Sequence, residues 1–147
     1  TEAQLALAAT WWGLHGHMRV PVPRTPPRLA VGTDQGEVRV FNTETWAIVQ
    51  SFDQAAEIHD LDFSPDGQRL AVAAGDNAIH LWDWRRGRAL AELWGHEAYV
   101  RSAQFSPDGT QLVSASGDGT IRIWDTLTLT EREALPPATR HARGAMP

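Results

Sequence analysis

The stretch "FSPDGTQLVSASGDGTIRIWD" (residues 105–125) decides the fold, because "FSPDGQRLAVAAGDNAIHLWD" (residues 63–83) repeats it without a gap, forty-two residues upstream. Phe63/Phe105, Pro65/Pro107, Gly67/Gly109, Leu70/Leu112, Asp76/Asp118, Trp82/Trp124 and Asp83/Asp125 all keep that spacing. A fainter copy precedes both. "LAVGTDQGEVRVFN" from Leu29 aligns with "LAVAAGDNAIHLWD" from Leu70, pairing Val31 with Val72 and Phe41 with Trp82. A chain that repeats one short supersecondary unit buries its faces by stacking the copies.

Each copy reads as strand, turn, strand, turn, strand. "IHDLDF" and "VRSAQF" place apolar residues at Ile58, Leu61 and Phe63 and at Val100, Ala103 and Phe105, a partly alternating pattern. "SPDG" makes the first turn, with Pro fixing φ and Asp-Gly closing it. "QLVSAS" has the low charge of a strand covered on both faces. "GDGT" and "GDNA" suit a tight hairpin. "IRIWD" then alternates Ile121 and Ile123 inward against Arg122 outward, and "IHLWD" is expected to do the same. "AIVQSF", "RALAELW" and "LTEREAL" supply a fourth, weaker strand after each copy. Four short strands in each period of about 40–45 residues predict an all-β propeller blade.

With "GH" at Gly95-His96, "FSPDG" and "SASGDGTIRIWD" in this register, residues 29–135 resemble the WD-repeat β-propeller family. The resemblance implies a partial β-propeller of about three four-stranded antiparallel blades, closed by other chains or by blades outside this sequence. It divides the chain into an irregular arm or incomplete blade (1–28), a degenerate blade one (29–52), blade two (53–95), blade three (96–136) and a C-terminal tail (137–147). It also implies a buried network of His96, Ser114, Asp118 and Trp124 tying blade three together. Blade two has Gln54 and Val72 at the His and Ser positions and keeps only Asp76 and Trp82; blade one offers Val31, Gln35 and Phe41. Blade three is therefore expected to be the stiffest. The Ser-His-Asp set is read as structural, since nothing beside it resembles a nucleophile elbow, and no catalytic residue is assigned.

Composition narrows the function classes. The 147 residues are 42% hydrophobic and carry seven Trp. No apolar run approaches the ~20 residues needed to span a bilayer, and "TEAQLALAAT" lacks the basic segment of a secretory signal. The net charge of −5 argues against nucleic acid as a partner. The absence of Cys removes disulfides, thiolate catalysis and cysteine-ligated zinc and fits a cytoplasmic setting. No cofactor or metal site is expected: His15 and His17 lack a third ligand, and Asp60 and Asp62, alternating on an inner strand, read as solvated channel lining.

Three blades fall short of the six to eight with which family propellers close. "TEAQLALAATWWGL" reads as a short helix with a Thr1–Gln4 capping box or as a degenerate strand, and "HGHMRVPVPRTPP" breaks regular structure with four prolines. The innermost strand of blade one is expected to be shortened, replaced or absent, and residues 3–12 are a candidate for the strand that closes the last blade. The favoured expectation is a piece of a larger propeller.

In the family a protein or peptide partner binds the narrow face. The matching positions here are Tyr99, Arg101 and Gly117 in blade three and Glu57, His59 and Gly75 in blade two. The expected function is a non-enzymatic protein–protein interaction scaffold, serving as the binding or sensor region of a larger protein or complex. The alternative is a propeller fragment that closes a ring with copies of itself. Arg85, Arg86 and Arg88 are read as keeping an edge strand soluble.

Overall fold

The computed structural model describes residues 6–12, 27–127 and 130–135. Among these residues twelve strands form three four-stranded antiparallel sheets. The first sheet runs β1 (Ala6–Trp12), β2 (Arg28–Thr33), β3 (Glu37–Asn42), β4 (Ile48–Asp53). The second runs β5 (Ile58–Phe63), β6 (Arg69–Ala74), β7 (Ile79–Asp83), β8 (Arg88–Leu93). The third runs β9 (Val100–Phe105), β10 (Gln111–Ser116), β11 (Ile121–Asp125), β12 (Thr130–Leu135). Each sheet follows chain order with antiparallel neighbours, and the three sheets are the blades of a partial propeller that is not closed.

Blade one is not short of its innermost strand. β1 pairs with β2 from Ala6↔Thr33 to Trp12↔Arg28, so a boundary at residues 28/29 cuts through one sheet. Residues 6–12 open the first blade and are not the closing strand of the last. The Thr1–Gln4 box, the His15/His17 pair, the proline segment before Pro27 and the tail at 137–147 lie outside the described residues.

The core lies between the blades. Ala30, Val38 and Val40 of blade one pack on Ile58, Leu61, Phe63, Leu70, Val72 and Trp84 of blade two, with Phe52 stacked on Trp82 at 4.1 Å between centroids. Ala71, Ala73, Ile79, Leu81 and Leu93 of blade two pack on Val100, Ala103, Leu112 and Trp124 of blade three. Successive residues of β6 thus serve opposite interfaces, which explains why "LAVAA" is buried throughout.

The inward/outward reading of β7 and β11 needs correction. His80, read as outward, is buried, because the middle blade has a neighbour on each face. In blade three the buried member of the pattern is Trp124; Ile121 is 40% exposed and Val113 on β10 is 43% exposed, whereas their equivalents Ile79 and Ala71 are covered by blade three.

The "SPDG" turns repeat atom for atom. Ser64 Oγ donates to Asp66 and Gly67 N to Ser64 O; Ser106, Asp108 and Gly109 do the same. The residue after each Trp-Asp locks this turn: Trp84 Nε1 donates to Gly67 O at 2.9 Å and Thr126 Oγ1 to Gly109 O at 2.6 Å. Arg69 reaches from blade two to the carbonyls of Thr126 and Gly109.

Candidate functional site

His96 lies in the β8–β9 connection, Ser114 on β10, Asp118 in the β10–β11 turn and Trp124 on β11, and the four side chains meet inside blade three. Ser114 Oγ is 2.7 Å from His96 Nε2 and accepts the Trp124 indole N–H at 2.9 Å. His96 Nδ1 is 3.1 Å from Asp118 Oδ2. A proton on Nδ1 satisfies Asp118 and leaves Nε2 to accept from the Ser114 hydroxyl. The order is that of a hydrolytic triad, yet Ser114 is only 1% exposed and its oxygen is engaged by an indole. The set is structural.

Burial acts against the Asp118 charge. The Thr120 hydroxyl, the amides of Glu97 and Thr120 and the His96 ring outweigh it and hold the carboxyl well below the usual carboxylate range. A depressed folded-state pKa adds stability that is fully present above the unfolded value of about 3.9 and disappears as pH falls through the folded one. Thermal melts at successively lower pH should therefore lose stability below about pH 4, and Asp118→Asn should shrink that loss; the same acid limb in both proteins would assign the loss elsewhere.

Blade two solves the same problem differently. Gln54, at the His position, accepts the Trp82 indole N–H at 2.7 Å. Asp76 turns to the buried His80 on β7, at 2.9 Å from Nε2, while Glu92 stands 3.6 Å from its Nδ1. Sequence reasoning missed this pair; the four-residue spacing across a hairpin turn was its available signal.

Asp60 and Asp62, read as solvated, are half-buried and engaged with the next blade. Asp60 accepts the amide of Ala103 at 3.1 Å and Asp62 that of Phe105 at 2.8 Å. They bridge the inner strands of blades two and three. Burial pushes the Asp60 carboxyl up, against the opposing pull of the Ala103 and Leu61 amides.

The loop end of blades two and three gathers the six positions expected to meet a partner. The β10–β11 and β6–β7 turns are tied to the preceding connections in the same way, Gly117 N to Tyr99 O and Gly75 N to Glu57 O, both at 2.9 Å. The Tyr99 ring lies across Gly117 so closely that an added Cβ there would overlap it. Arg101 donates to Tyr99 Oη at 2.9 Å, and the His59 ring is 5.3 Å from that of Tyr99. Glu57 stands 3.9 Å from His59 Nδ1. The run Glu57–His59–Tyr99–Arg101 crosses the blade boundary as one surface. Among the described residues, no three His, Cys, Asp or Glu side chains stand together as a metal ion would require.

Three stacked four-stranded sheets with these turns define a β-propeller segment. A model of the WD domain, G-beta repeat, matches residues 87–125, and one of the anaphase-promoting complex subunit 4 WD40 domain matches residues 27–98. The chain belongs to the WD40-repeat β-propeller family. It is 38% identical over 61 residues to WD repeat-containing protein SL1-17 of Schistosoma mansoni, covering 42% of this chain and 20% of that one. It is 35% identical over 71 residues to WD repeat and SOCS box-containing protein 1 of Takifugu rubripes, covering 46% and 17%. With the Denticleless protein homolog of Mus musculus it shares 33% over 98 residues, covering 56% and 13%. The chain thus spans a fifth or less of the length of these relatives. The crystal structure of the RRP9 WD40 repeats superposes with a TM-score of 0.78 at 16% identity, over 90% of this chain and 39% of that one, which speaks for the fold. WD40 domains generally act as non-catalytic protein–protein interaction scaffolds.

Proposed function

We propose that the chain is a protein-interaction scaffold, the binding or sensor region of a larger protein or complex, and that Glu57, His59, Gly75, Tyr99, Arg101 and Gly117 receive a protein or peptide partner. The supporting observation is the Tyr99–Arg101 pair, held across Gly117 and against His59 at the open loop end. Tyr and Arg are common interface anchors, and a pair already fixed in place loses little freedom on binding. Immobilised chain is compared with its Tyr99→Ala and Arg101→Ala variants by quantitative mass spectrometry of retained proteins, alongside thermal melts. Retention of a specific partner should fall about tenfold in each variant with melting little changed; identical retention by all three proteins refutes this reading.

A second reading rests on the exposure of Val113 and Ile121, whose equivalents in blade two are covered by the next blade. A further blade belongs on that face, from a longer chain or from a second copy closing a ring. Light scattering at two concentrations distinguishes them: a defined dimer or trimer supports self-assembly, and a monomer excludes it.

A further inference from the structure

The β3–β4 turn holds Trp46 at φ 61°. The registers Phe41↔Ile48 and Trp82↔Ala89 make Gly87, at φ 63°, its counterpart in blade two. Left-handed backbone suits glycine and strains a bulky aromatic residue. The turn is nonetheless built to hold it: Trp46 N donates to Asn42 O at 2.6 Å, and Asn42 Oδ1 accepts the amides of Glu44 and Thr45. The strain buries little indole, for Trp46 is 56% exposed. A strained position that keeps a large apolar side chain in solvent points to use rather than to packing.

Its surroundings have the chemistry of a docking surface. Ile48 and Val49 on β4 are also exposed. β4 is the last strand of its sheet, and its one charged residue, Asp53, stands at its far end, leaving residues 46–52 without charge. The outer strand β8 carries Arg88 and Glu92, charges of the kind that natural sheets use to discourage edge pairing. Gln50 of β4 donates to Arg85 O at 3.1 Å, joining this edge to the β7–β8 turn. There Arg85, Arg86 and Arg88 are exposed, with Arg85 over the Trp84 ring at 5.4 Å and Arg86 anchored on Asp83. Residues 82–88 hold three Arg and one Asp in a chain whose net charge is −5, so the local sign opposes the global one.

We propose that Trp46, the outer edge of β4 and the Arg85–Arg86–Arg88 turn form a docking site for an acidic, extended polypeptide segment. Trp46, Ile48 and Val49 take its apolar residues, the edge of β4, unpaired among the described residues, offers main-chain pairing, and the arginines take its carboxylates. The β3–β4 and β7–β8 turns lie at the end of the blades opposite Tyr99 and Arg101, so this site is independent of the narrow-face reading.

The probe is a short fluorescein-labelled peptide alternating Glu and Leu, titrated by anisotropy into the full chain, with a Lys–Leu peptide and a labelled oligothymidylate beside it. The Glu–Leu peptide should bind saturably and more weakly as salt rises. Arg85→Glu with Arg88→Glu should weaken it about tenfold or more. Trp46→Gly should weaken it about tenfold while the melting temperature holds or rises, since glycine relieves the left-handed turn; a purely structural Trp46 would lose stability and leave affinity alone. No binding of the Glu–Leu peptide, equal binding of the Lys–Leu peptide, or unchanged affinity in both variants overturns the proposal. Tighter binding of the oligothymidylate overturns it in favour of nucleic acid.

Discussion

Ser114→Ala should destabilise the chain by about 2–4 kcal/mol in chemical denaturation, a large effect for the loss of one oxygen. That oxygen serves two buried groups at once, accepting from Trp124 Nε1 and donating to His96 Nε2. Alanine leaves both without a partner in a site closed to water, and each such group costs about 1–3 kcal/mol. Blade two shows what compensation looks like. Val72 stands at the Ser position there, and Trp82 gives its N–H to Gln54. The double variant His96→Gln with Ser114→Val rebuilds that pair in blade three and should recover much of the loss. A Ser114→Ala protein as stable as the parent would mean that the network contributes nothing.

Trp84→Ala should cost about 3–5 kcal/mol, the range for removing a buried aromatic side chain. Trp84 lies in the core between blades one and two, edge-on to Phe63 at 5.7 Å, with its N–H on Gly67 O and Arg85 above it. Alanine opens a cavity and strips the "SPDG" turn of its donor. Trp84→Thr separates the two contributions, because Thr126 makes the same bond to Gly109 in blade three. Threonine should recover roughly the 1 kcal/mol of one hydrogen bond and leave the cavity. If threonine and alanine cost the same, the bond is worth nothing there and packing carries the whole effect.

The repeat made the blades legible, since each strand and turn is set by a local pattern that occurs twice. The four-residue network was legible only through the family resemblance, because blade two has Gln54 and Val72 at two of its places and the repeat by itself does not show it. What stayed hidden depends on the neighbouring blade. Nothing local says that Asp60 and Asp62 accept amides from β9, that His80 is walled in on both sides, or that Ile121 lies on a face left uncovered by the described residues. β1 was obscured for a different reason. It joins β2 across a long proline-bearing segment, so the forty-two-residue spacing does not extend to it. Trp46 escaped notice because a sequence does not show the sign of φ, and only the register against Gly87 exposes the anomaly.

The Asp60 and Asp62 bridges bear on how such an array is inherited. Blade three carries Ser102 and Gln104 at the matching places, so a duplicate of it spliced in for blade two would arrive without the two carboxylates its successor requires. The repeats look like interchangeable words, but each is inflected for the one that follows. Lengthening or shuffling this chain by whole-repeat duplication therefore calls for a matching edit at the inner strand of every new junction.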